Sequence, residues 1–357
     1  MNKEEKQLFK SLCCFKSQEF KESLLKNATP TVLGHLFFNR MQAVAYGVLK
    51  KHELLNKINR EFRNSLRAAF EQNKNKNHSY FRCVKYLSEI LSKCNCKYAM
   101  LKGALLCRYY PDGYRTSNDI DLLVLPEDVT EVGNVLTQAG FRQGHIINNE
   151  FVPASRVEII ESKMMRGETI PYIKEVNLPE MKYLEVDINF SLDYKSGDTS
   201  ILKKILNRVS TISVYNLDIP TLDFADFFIH LCSHLYKEAS TMAWVEMKRD
   251  MTLYKYCDIY LLLCNISNDH VDKIFERAIE LGVDKVCAYA ILHTAELFDV
   301  ENSYAVTMAY GTLCNDPDFI HNVISPKDRK IYTYTERNIS ERFFSSNRRK
   351  LLKEVQK

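Results

Sequence analysis

Between Lys3 and Leu91 apolar residues recur at three- and four-residue intervals, the spacing of one helix face. The pattern predicts helices over Lys3 to Phe15, Gln18 to Lys26, Val32 to Leu49 behind a Thr29-Pro30 start, and a long segment from Glu53 to Leu91. The polar run Asn73-Lys74-Asn75-Lys76-Asn77 inside that segment reads as an exposed helix or loop face. From residue 94 to 220 strands alternate with short helices. The predicted strands are Tyr98 to Leu101, Ile120 to Val124, Phe141 to His145, Val157 to Ser162, Tyr172 to Asn177, Tyr183 to Phe190 and Ile212 to Tyr215, with a helix from Pro126 to Ala139 stopped by Gly140. Helical spacing returns over Thr221 to Lys237, Ala243 to Leu263, Asp269 to Leu281 and Asp284 to Phe298, with Gly282 between the last two. The chain therefore divides into an N-terminal helical region (1–93), a mixed α+β core (94–220), a C-terminal helical bundle (221–325) and a basic C-terminal tail (326–357).

Composition narrows the class. A chain of 357 residues with 46% hydrophobic and 26% charged residues has the balance of a soluble globular protein with room for more than one core. Met1 to Lys10 has no apolar signal core and no run is long enough to cross a bilayer, so secretion and membrane spanning are disfavoured, no membrane partner is expected and the cytoplasm is the expected location. The eleven cysteines show no Cys-x-x-Cys pairing and several lie in apolar helical runs, so they are expected to be reduced core residues.

One stretch suggests chemistry. In Arg115-Thr116-Ser117-Asn118-Asp119-Ile120-Asp121-Leu122-Leu123-Val124 the two aspartates stand two apart at the start of an apolar strand, so both carboxylates leave the same face. Adjacent carboxylates repel unless a cation lies between them, and oxygen donors suit a hard divalent ion such as magnesium. Upstream, the strand Tyr98 to Leu101 meets Lys102 and Gly103, where Gly103 permits a tight turn and Ala104 to Tyr110 reads as the opening turns of a helix. A helix start favours phosphate, and Lys102 and Arg115 would add charge-assisted donors. In Tyr183 to Phe190, alternation puts Glu185, Asp187 and Asn189 on one face and Leu184, Val186, Ile188 and Phe190 on the other.

The order Leu101-Lys102-Gly103, a helix, Tyr110-Pro111-Asp112, Arg115, then Asp119-Ile120-Asp121-Leu122-Leu123-Val124 resembles the DNA polymerase β-like nucleotidyltransferase superfamily, in its bacterial "uncharacterised nucleotidyltransferase" branch, over roughly residues 90 to 300. Lys102-Gly103 stands where the wider superfamily has Gly-Ser. Trp244, ahead of a helix bearing Asp258, resembles the family's C-terminal helices. The resemblance implies a polymerase-β-like sheet flanked by helices, with 94–220 as its catalytic core, and a third acid on a neighbouring strand. Asp187 is the candidate, Glu185 the reserve, and Asn189 replaces a histidine that the branch often carries. It further implies a metal site of Asp119, Asp121 and Asp187 holding magnesium, with manganese as the alternative, and a nucleotide site of Lys102, Gly103, Arg115 and Ser117. The activity implied is transfer of a nucleoside monophosphate from a nucleoside triphosphate such as ATP to an acceptor hydroxyl on a small molecule or peptide, with release of pyrophosphate. Two other readings stand beside it: the same chemistry on a macromolecule, a tRNA 3′ end or a protein side chain in a toxin-antitoxin or defence setting, and a non-catalytic nucleotide-binding protein of the same fold.

Two further features bear on the acceptor. His230 and His234 are four apart on one helix, a spacing that allows a shared ion, although a helix-sheet contact or an acceptor pocket suits an otherwise apolar helix better. The tail from Lys327 to Lys357 mixes Arg348-Arg349-Lys350 with Tyr332, Tyr334, Phe343 and Phe344, a composition that binds RNA in some proteins, but with a net charge of only +4 on the whole chain a solvated helix is expected and nucleic acid is not the favoured partner.

Overall fold

Asn2 opens the first helix, α1 (Lys3–Cys13), by a reciprocal capping box with Glu5, and Leu8, Phe9, Leu12 and Cys13 form its buried stripe. The structure is a computed structural model that describes residues 1–165, 167–192, 199–298, 300 and 303–355. Thr29 caps α2 (Pro30–Phe38), with Pro30 where its missing N–H costs nothing. The single helix expected over Val32 to Leu49 is two: Arg40 adopts φ 56°, and α3 (Gln42–Lys51) starts afresh. Apolar spacing continues across this break, which hides it in the sequence, while Asn39 stops α2 by donating to the His35 carbonyl. Gln18 to Lys26 contains only a short 3-10 turn, Glu22–Asn27. The long helix is α4 (Arg60–Leu91).

The chain forms two compact units, residues 1–70 with 231–357, and residues 71–230. The second unit holds a six-stranded sheet in the order β1-β2-β6-β5-β3-β4. Its strands are β1 (Tyr98–Met100), β2 (Asp119–Val124), β3 (Arg142–Ile147), β4 (Glu150–Pro153), β5 (Tyr172–Leu178) and β6 (Met181–Asn189). Only β2 and β6 run parallel. Helices α5 (Gly103–Leu106), α6 (Val129–Gln138) and α7 (Arg156–Met165) connect them, and α8 (Thr199–Leu206) follows β6. Gly140, at φ 87°, ends the α6 segment as its sequence position suggests. A separate hairpin, β7 (Ser210–Val214) and β8 (Leu217–Thr221), turns through Tyr215 and Asn216 at positive φ, and the Thr221 hydroxyl donates to the Met100 carbonyl at 2.8 Å.

Val157 to Ser162 is a helix, not the strand its β-branched residues suggest. Ser155 and Glu158 form a reciprocal capping pair at the start of α7, and Val157 and Ile160 are exposed rather than alternating into a core. The strands β4 and β8 had no counterpart in the sequence reading.

The first unit is completed by α9 (Phe224–Ala239), whose first part belongs to the second unit, then α10 (Met242–Glu246), α11 (Leu253–Leu263), α12 (Asn268–Leu281), α13 (Asp284–Leu297) and α14 (Ser303–Thr312). The expected helix over Ala243 to Leu263 is interrupted where Lys248 takes φ 59°, and Gly282 closes α12 in the left-handed conformation. The C-terminal segment is folded. Strands β9 (Asn322–Ser325), β10 (Lys330–Tyr334) and β11 (Leu352–Glu354) form a sheet in the order β11-β10-β9, with α15 (Ile339–Phe344) between the last two in sequence. Met242, Val245, Val323, Tyr334 and Leu352 share one apolar cluster. Arg348, read from sequence as part of a solvated basic tail, is buried and meets both carboxylate oxygens of Asp250, at 2.7 and 2.6 Å. No helix among the described residues is long and apolar enough to cross a membrane.

Candidate active site

The site is built on the parallel pair β2 and β6. Their register sets Asp119 beside Glu185, Asp121 beside Asp187 and Leu123 beside Asn189. Paired positions on adjacent strands project from the same face, so four carboxylates gather at one end of the pair. Ile120, Leu122, Val186 and Ile188 fill the opposite, fully buried face. Asp119 is half-buried, whereas Asp121 is only 6% exposed and therefore lies deeper than a strand-end aspartate is expected to. Burial, then the charges of Asp121 and Asp119, hold the Asp187 carboxyl well above the usual range; Lys102 opposes the shift and Glu168 adds to it. Burial, with Asp119 next, also raises Glu185.

Lys102 reaches this cluster from the turn after β1. Its backbone sits at φ 44°, ψ −106°, a conformation that costs an L-residue about 1–3 kcal/mol. That turn aims its ammonium at the Asp121 Oδ1, 2.9 Å away. The Asn189 amide donates to the same oxygen at 3.4 Å. Gly103 is required by close approach: a Cβ there would stand 2.6 Å from the Ser117 Cβ and 2.9 Å from the Tyr80 hydroxyl. Ser117 uses its place to donate to the Asp119 Oδ1 at 2.8 Å. The expected helix from Ala104 to Tyr110 shortens to Gly103–Leu106, too few turns to build an appreciable end charge, so the phosphate argument from a helix start falls away. Arg115 donates to the Thr116 carbonyl of its own loop.

The loop carrying Arg115 to Asn118 is held by α4. Asn73 donates to the Gly113 carbonyl at 3.1 Å, Asn77 to the Arg115 carbonyl at 3.0 Å, Lys76 to Asn118, and the Tyr80 hydroxyl to the Asp119 carbonyl at 3.2 Å. These positions recur with helical spacing, so the polar run expected to face solvent is a polar seam against the acid-bearing loop. Its periodicity was available in the sequence; its target was not. Glu168 also escaped the sequence reading. It pairs with Asn189 in a single bridge beyond the strand ends, with no flanking pattern to announce it.

Other candidates lie elsewhere. His230 is buried, while His234 meets Glu238 at 3.2 Å, and Glu238 also pairs with Lys255. Among the described residues, the one group of three ligating side chains with donor atoms all within 4.8 Å is Cys94, Cys96 and Glu131; the aspartates, interleaved with Lys102, are not gathered that tightly.

A mixed sheet with Asp-x-Asp on one strand, a third acid on its parallel neighbour and a lysine turn beside them has the features of a nucleotidyltransferase. The family model described as "Uncharacterised nucleotidyltransferase" matches residues 30–299, and the chain belongs to that family. The match reaches back to the N-terminal helices, well beyond the motif-bearing core. No curated protein matches the sequence.

Proposed function

We propose that this protein is a metal-dependent nucleotidyltransferase that moves a nucleoside monophosphate from a nucleoside triphosphate to an acceptor hydroxyl on a small molecule or peptide, releasing pyrophosphate. The observation that carries the reading is the parallel register that sets Asp121 beside Asp187, with Lys102 bonded to Asp121. The donor set fits magnesium or manganese: all its donors are hard oxygens, and the parallel register brings like-charged carboxylates together on one face, where a cation would relieve their repulsion. Asp119, Asp121 and Asp187 would hold the ion. When bound, it supplies charge neutralisation for the triphosphate and acidifies the acceptor hydroxyl.

The protein's own groups supply the rest. Lys102 neutralises Asp121 and would place its positive charge beside the phosphates. Ser117 fixes the rotamer of Asp119. Arg115 stands in the same loop as a second phosphate donor. Asp187, in register with Asp121 on the neighbouring strand, would double as the general base that takes the acceptor proton. Incubation with each α-labelled nucleoside triphosphate, magnesium and fractionated small-molecule, peptide and RNA acceptors tests the reading. Label transfer with stoichiometric pyrophosphate, lost in Asp121→Asn, is expected; nucleotide binding without transfer to any fraction would overturn it in favour of a non-catalytic binding protein.

One observation favours a macromolecular acceptor as the second reading. A cavity of about 510 Å³ is lined by His78, Phe81, Arg82, Lys85 and Tyr215, and it shares Asn77 with the acid-bearing loop. Basic groups beside the Phe81–Tyr215 edge-to-face pair suit the phosphates and bases of an RNA end. Label recovered in RNA, and lost in Arg82→Ala with Lys85→Ala, would decide for it.

A further inference from the structure

Cys94 and Cys96 lie two apart in the link between α4 and β1, and Glu131 is the third residue of α6. Sequence spacing alone does not join them. In the fold, one donor atom from each lies within 4.8 Å of the other two, and all three residues are half-buried. We propose that Cys94, Cys96 and Glu131 form a binding site for a thiophilic divalent cation, zinc by the chemistry of its donors, separate from the aspartate cluster.

Two observations carry the assignment. The distances are near those of a closed site: zinc bonds sulfur at about 2.3 Å and carboxylate oxygen at about 2.0–2.2 Å, which puts two sulfurs of a tetrahedron about 3.8 Å apart. Small side-chain rotations therefore close the group around an ion. The Asn95 N–H, between the two cysteines, donates to the Glu131 Oε1 at 2.7 Å. A ligating carboxylate is oriented by such an outer hydrogen bond, which leaves its second oxygen for the metal. With three protein ligands, a water completes the tetrahedron.

Binding converts two thiols to two metal thiolates and releases two protons to solvent, with no change of oxidation state. Sulfur donors select zinc over magnesium, as oxygen donors at Asp119, Asp121 and Asp187 select the reverse. The ion would tie the α4–β1 link to α6. That link leads through β1 directly to Lys102.

The test uses the full chain, reduced, stripped with a chelator and kept in excess magnesium so that the carboxylate site is not read. Cobalt(II) is titrated in. The expected result is a thiolate-to-cobalt charge-transfer absorption saturating at one ion per chain, bleached by equimolar zinc and unchanged by more magnesium. Cys94→Ser and Cys96→Ser should each abolish it, Glu131→Gln should weaken affinity on the order of tenfold or more, and Asp121→Asn should leave it intact. Should the cysteine variants fail to fold, alkylation of the unaltered protein followed by peptide mapping gives the same answer, with Cys94 and Cys96 protected by zinc while exposed Cys314 reacts. No charge-transfer band, a band surviving both serine substitutions, or equal alkylation of Cys94 and Cys96 with and without zinc would overturn the proposal.

Discussion

Asp187 shows how a single carboxyl links stability to activity. Its folded-state proton affinity lies well above the ordinary value of 3.8, so the protonated form favours the fold. That contribution is complete below the ordinary value and is lost as pH rises through the raised one. In magnesium-free buffer at neutral pH, Asp187→Asn should therefore melt higher than the unaltered protein, by about 2–4 °C for each kcal/mol relieved, and the difference should close as pH approaches 4. Calorimetry across that range checks it; a difference independent of pH would remove the assigned cause. The same variant should retain much of its triphosphate affinity and lose transfer by about a hundredfold or more. Lys102→Ala should weaken triphosphate binding about tenfold to a hundredfold, one charge-assisted contact, and leave nucleoside binding nearly unchanged. Titration of both ligands decides it. That Asp119, Asp121 and Asp187 share a face was legible in the sequence because their two-residue spacing within short strands fixes the faces locally. Glu168 was not, since a residue joined to Asn189 by one isolated bridge leaves no periodic trace.

At the scale of elements, α4 positions the site without contributing an acid to it. Asn77 is buried and donates to the Arg115 carbonyl, so Asn77→Ala leaves that carbonyl with the weaker Cys107 thiol contact at 4.0 Å and should cost about 0.5–1.5 kcal/mol. It should also reduce transfer by loosening the loop that orients Ser117 and Asp119. Asn75→Ala, exposed on the same run, should change neither property. Paired melting and transfer assays separate the two, and equal effects would mean that the seam does not orient the loop. The existence of α4 was readable from its apolar stripe, but apolar spacing says nothing about what a polar face touches. At α7 two local signals compete: Val157, Ile159 and Ile160 favour a strand by shape, and the Ser155–Glu158 cap outweighs them.

At the scale of the molecule, the unit formed by residues 1–70 and 231–357 joins both ends of the chain, an arrangement that no local pattern encodes. Its consequence is clearest at the C-terminus, where charge composition suggested a solvated tail and the structure has a sheet closed by an internal ion pair. Arg348 spans both oxygens of Asp250, donates to the Phe343, Ser345 and Lys248 carbonyls, and is joined at Asp250 by the Tyr334 hydroxyl. Arg348→Ala leaves Asp250 buried with its charge uncompensated and should cost about 3–5 kcal/mol. Replacing both members with neutral residues of similar size, Arg348→Met with Asp250→Asn, should recover part of that loss. Arg349→Ala and Lys350→Ala, on exposed positions, should be nearly neutral. Because the pair is buried, the Arg348→Ala deficit should persist at high salt, where a surface ion pair would be screened. Denaturant unfolding at low and high ionic strength measures it. A deficit that vanishes with salt would return Arg348 to the solvated surface, and with it the reading of this segment as a basic arm.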